Sequence, residues 1–93
     1  MVTPEQEQRR GAEVAQLLDN PIYKEAFAAI QERIVSQLAL ADTPDERRKR
    51  LNDLLIALHK VQGYLTQVMV SGQMAAQEIE RKRSLGDRIR AVI

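Results

Sequence analysis

With 93 residues, no cysteine and fourteen basic against thirteen acidic side chains, the chain has room for one small domain, and disulfides, thiolate nucleophiles and zinc–thiolate sites are excluded. A net charge of +1 is far from the balance of a protein that coats nucleic acid, so any DNA contact must be local. Tyr23, Phe27 and Tyr64 are the only aromatics, while Ala, Leu, Gln, Glu and Arg abound, a profile that predicts an all-α fold.

In chain order, the opening MVTPEQEQRRGAEV lacks the apolar core of a signal peptide. No uninterrupted apolar run approaches the ~20 residues that span a bilayer, so a soluble, intracellular protein is expected. Thr3, Pro4 and Gln6 supply an N-cap, a first-turn proline and a capping-box partner for a helix through Leu18. Asp19 or Asn20, followed by Pro21, restarts the chain in a second helix, expected to reach about Leu40; Asn20 can accept from its first free amides. Thr43-Pro44, with Glu46 completing a second capping box, predicts a tight turn and a third helix from Pro44 to beyond Met69. So short a connection makes the second and third helices antiparallel neighbours. Ser84, with Asp87 three residues on, is expected to cap a short terminal helix ending at Ile93.

Apolar periodicity says how these helices meet. Tyr23, Phe27, Ile30 and Ile34 on the second helix, and Leu51, Leu54, Leu58, Val61, Leu65 and Val68 on the third, alternate spacings of three and four, which is a heptad seam. Leu55, Ile56, Met69 and Val70, with Ile22, Val35 and Leu38, lie off that seam, so the apolar surface is wider than one partner helix covers. Two coverings stay open: the first helix, through Val14, Leu17 and Leu18, folding back to make a three-helix bundle, or further copies of the chain. Glycine weakens a helix unless backbones approach closely or bend. Close packing is expected at Gly63, and a kink or end at Ser71-Gly72.

The expected organisation is thus a helix over residues 1–19, a coiled-coil-like antiparallel hairpin and oligomerisation core over 20–72, and a basic, partly helical, amphipathic tail over 73–93. Arg47, Arg48, Lys49 and Arg50 open the third helix and are candidate phosphate contacts, although such a run more often forms a solvated face. Arg81, Lys82 and Arg83, followed by Arg88 and Arg90, form a second basic cluster. Multiplied around a ring, either would make a basic belt. Leu85, Ile89, Val92 and Ile93 lay an apolar strip on the same tail, suited to docking on a partner protein; about two turns without tryptophan or phenylalanine anchor poorly in a membrane.

Catalytic chemistry is hard to place. His59 is the single histidine, falls off the seam and is expected in solvent. There is no phosphate-binding glycine loop, and Glu78 and Glu80 stand among bases rather than in an apolar pocket that would tune a proton donor. A non-enzymatic protein without metal or cofactor is expected.

The run LLDNPIYKEAFAAIQERIVSQLALADTPDERRKRLNDLLIALHKVQGYLTQVMVSGQMA, with its LL-x-NP start, acid-rich turn and K-x-x-GYL followed by a glycine-terminated stretch, resembles a family of small helical proteins encoded among the head and DNA-packaging genes of tailed bacteriophages. A helical hairpin that oligomerises and ends in a partner-binding tail is similar to the central and terminal parts of a small terminase subunit, which as a ring recruits the packaging motor to the genome. The resemblance implies a homo-oligomer working in the bacterial host cytoplasm or on the virion. Its partners would be the packaging motor, or a portal or capsid protein. No helix-turn-helix precedes the hairpin, so DNA contact would fall to the basic clusters. The alternative is a structural virion or head-assembly component that does not touch DNA.

Overall fold

The computed structural model describes residues 2–92. They form three α-helices, α1 (Pro4–Asp19), α2 (Pro21–Leu38) and α3 (Asp45–Val92), and no strand.

Two of the expected helix starts are built as the sequence predicts. At α1 the Thr3 amide donates to Gln6 Oε1 at 3.0 Å while the Gln6 amide donates to Thr3 Oγ1 at 3.2 Å, a reciprocal capping box. At α2 the Asn20 carboxamide oxygen accepts from the amides of Ile22 and Tyr23 at 2.8 and 3.1 Å, with Pro21 in the first turn. The third start differs. Thr43 does not cap α3; its hydroxyl turns back and donates to the Gln37 carbonyl at 2.9 Å. The helix ladder there begins with the Arg48 amide on the Pro44 carbonyl. Closing α2, whose last carbonyls have no partner of their own, outweighs capping α3, whose acidic first turn of Asp45 and Glu46 already suits the dipole.

The chain divides into two compact units. One, Leu17–Leu65, is an antiparallel hairpin of α2 and the first part of α3. Its pairings descend on one helix as they rise on the other: Arg47 Nη2 donates to Gln37 Oε1 at 3.0 Å, and His59 Nε2 lies 3.2 Å from Gln31 Oε1. The His59 ring stacks on Phe27 with centroids 6.5 Å apart.

The seam is present but rotated from the expected register. Tyr23, Phe27, Gln31, Ile34 and Leu38 face Leu51, Leu55, Leu58, Gln62 and Leu65, all buried or half-buried. Ile30, Leu54 and Val61, which were expected in the seam, stand 51%, 56% and 57% exposed. Both registers share Leu51, Leu58 and Leu65; positions 54 and 61 flank that line on one side, 55 and 62 on the other. A single helix covers one flank only, and α2 takes the flank that includes Gln62.

The other unit holds the chain up to Gln16 together with the part of α3 from Thr66 onward. Here α1 crosses α3 backbone against backbone at Gly11 and Gly72, both buried. A Cβ on Gly11 would lie 2.7 Å from the Gly72 Cα, and a Cβ on Gly72 would lie 2.7 Å from the Gly11 Cα and 2.9 Å from the Glu7 carbonyl oxygen. Ala75, 4% exposed, and half-buried Val14, Val68 and Met69 flank the crossing. Up to Gln16 the first helix packs on late α3, while its end belongs to the hairpin unit, where half-buried Leu18 lies beside Tyr23, Phe27 and Gln62.

This crossing also corrects the expected break. α3 runs through Ser71-Gly72 and Ser84 without interruption: Gly72 serves close approach and not a bend, and Gln, Ala, Glu and Arg beyond it favour helix. The close packing expected at Gly63 is absent, because a Cβ there would meet nothing within 4 Å.

Candidate functional site

The most distinctive surface of the hairpin follows from the rotated seam. Ala29, Ile30, Arg33 and Ile34 of α2, with Leu54, Ala57, Leu58 and Val61 of α3, line an open groove of about 420 Å³. Ile34 and Leu58 form its floor as members of the seam, whereas Ile30, Leu54 and Val61 rise on its sides and Ala29 and Ala57 leave low points. Arg33 is the one charged residue lining it. Without an array of polar groups to orient a reacting molecule, such a groove recognises apolar surface. Arg33, Ala29 and Ala57 were not singled out by sequence reasoning; small residues beside a seam were the signal.

A second, smaller cavity of about 220 Å³ lies among Leu18, Tyr23, Lys24, Phe27 and Gln62. The Tyr23 hydroxyl and Gln62 Oε1 are buried without a hydrogen-bond partner, and such atoms cost about 1–3 kcal/mol each. His59 is exposed, as expected, and its contacts with Gln31 and Phe27 belong to the hairpin.

The first basic cluster splits by role. Arg48 Nη1 donates to the Leu38 carbonyl at 2.8 Å and Nη2 to the Leu40 carbonyl at 2.7 Å, so this guanidinium clamps the end of α2. Arg47 holds Gln37. Lys49 and Arg50 are exposed without a side-chain partner among the described residues, and Arg50 joins Glu46, Leu51 and Leu54 around a shallow hollow. Sequence reasoning missed the clamp because the carbonyls it serves lie eight and ten positions earlier, across the turn.

In the second cluster Arg81, Lys82, Arg83, Arg88 and Arg90 are all exposed. Lys82 Nζ lies 3.6 Å from Glu78 Oε1 one turn earlier, a solvent-exposed pair of small energetic weight. Leu85 and Ile89 are exposed one helical turn apart, so they share a face. Of the expected docking strip, the Val92 side chain and Ile93 lie outside the described residues.

No group of three or more His, Asp or Glu residues able to hold a metal occurs among the described residues, and no helix among them is long and apolar enough to cross a membrane. Searches of known protein families, curated proteins and solved structures find no match to this chain.

Proposed function

We propose that this chain is a non-enzymatic helical assembly protein of a tailed phage or phage-like particle, acting as an oligomeric adaptor in genome packaging in the manner of a small terminase subunit. The observation that carries the reading is the apolar groove on the hairpin, a surface with one charged residue that suits association and not catalysis. Its phage setting rests on the resemblance of the stretch from Leu17 to Ala75. In this reading copies associate through their hairpins, and Lys49, Arg50, Arg81, Lys82 and Arg83 touch DNA phosphates. Leu85 and Ile89 engage the packaging motor, and the protein works in the host cytoplasm or on the virion.

Binding to nonspecific double-stranded DNA over a range of salt concentrations tests it. Affinity is expected to fall steeply with salt, and replacing Arg81, Lys82 and Arg83 together by Gln is expected to reduce the log–log slope by about 3, at ~0.9 for each phosphate no longer neutralised. Absence of salt-sensitive binding would remove the packaging role. It would favour a structural component seated on portal or capsid without touching DNA. One observation supports that second reading: Arg47 and Arg48 are already engaged inside the hairpin.

A further inference from the structure

We propose that the groove between Ile30 and Leu54–Val61 is the seat of the same groove on a second copy, so that two hairpins pair face to face as a four-helix core. The inference deepens the assembly reading above and rests on it, naming the surface and the partner.

The hairpin cannot finish its own core. Across Leu17–Leu65 only Ile34 and Leu51 are buried hydrophobics, each 7% exposed, while Ile30, Leu54 and Val61 stand half in water beside them. These three belong to the same three-and-four spacing as the buried line, so the sequence builds a second flank for another helical layer.

The dimensions select the occupant. A small molecule would find aliphatic walls and one guanidinium, with no convergent polar groups to orient it. A single docked helix would cover one helix width, but the face is two helices wide. With 18 residues in α2, the face is about 27 Å long at 1.5 Å per residue and about 20 Å wide for two helices of ~10 Å. That is roughly 500 Å² from each copy and about 1,000 Å² in all, the minimum that a specific interface with good complementarity should clear. A second hairpin matches both dimensions by construction. Its relief matches as well: in a two-fold pairing the raised Ile30, Leu54 and Val61 of one copy meet the low ground over Ala29 and Ala57 of the other.

Native mass in solution, measured for the intact chain and its variants, tests the pairing. The wild type is expected to be a dimer or a multiple of one. Leu54→Glu combined with Val61→Glu, both at exposed positions on the groove's sides, is expected to weaken association at least about 100-fold while the helical circular dichroism persists. Ile56→Glu, outside the groove, is expected to leave the mass unchanged. An oligomer insensitive to the groove charges, or one abolished instead by Ile89→Glu, overturns this inference and, with it, association through the hairpins, while the DNA contact of the adaptor reading stands or falls by its salt dependence. A paired hairpin with no salt-sensitive DNA binding upholds the pairing and removes the DNA contact. A monomeric wild type overturns both.

Discussion

A methyl group is the smallest change a side chain can undergo, and at two glycines of α3 it should act in opposite directions. At Gly63 an added Cβ meets nothing within 4 Å, so Gly63→Ala gains helix propensity alone and is expected to stabilise the protein by up to ~1 kcal/mol. At Gly72 the same Cβ would sit 2.7 Å from the Gly11 backbone, and neither backbone can yield as a flexible side chain would. Gly72→Ala is therefore expected to cost a net ~1–3 kcal/mol despite the same propensity gain. Urea denaturation followed by circular dichroism reads both; a Gly72 variant as stable as wild type would show that the crossing is not close in solution. The orphaned Tyr23 hydroxyl and Gln62 Oε1 are a flaw at the same scale, and an apolar residue at position 62 would remove the second of the two.

Among the elements, α2 depends most on its neighbour. Its start is self-sufficient, since Asn20 caps it locally. Its end is not, because Arg48 and Thr43 from beyond the turn bind the Gln37, Leu38 and Leu40 carbonyls. Arg48→Met keeps the aliphatic stem and loses two charge-assisted hydrogen bonds, so a loss of about 1.5–3 kcal/mol is expected. Arg48→Lys should recover little of this, since an ammonium cannot reproduce the fork. Lys49→Met, at an exposed position, is expected to change stability by less than ~0.5 kcal/mol. Thermal unfolding of the three variants makes the comparison. Equal losses at positions 48 and 49 would mean that the clamp contributes nothing.

For the molecule as a whole, stability and association are expected to be one property. A core with no large side chain fully buried among the described residues supplies little by itself, and a partner that binds only the folded chain adds stability by mass action. The melting temperature is therefore expected to rise with protein concentration. Leu51→Ala, at a buried position, should lower it at every concentration, by an amount equivalent to ~2–4 kcal/mol. Leu54→Ala, at an exposed one, should chiefly flatten the concentration dependence. Calorimetry over a hundredfold range of concentration checks this. A concentration-independent melt in the wild type would contradict it.

Local chemistry made much of this legible in advance. Helix content and the starts at Thr3-Pro4 and Asn20-Pro21 depend on side chains reaching two to four positions along the chain, a range at which sequence is nearly sufficient, and the antiparallel pairing follows from the shortness of the turn near Thr43. Three features needed the folded molecule. Leu54 and Leu55 compete for one partner helix, and only simultaneous packing of both helices decides which is covered. A glycine that bends a helix and a glycine that admits another backbone look identical until the crossing with Gly11 is seen. An arginine in a basic run becomes a helix clamp only when distant carbonyls arrive beside it. In each case the energy lies in interactions between segments far apart in the chain, so it has no local signature.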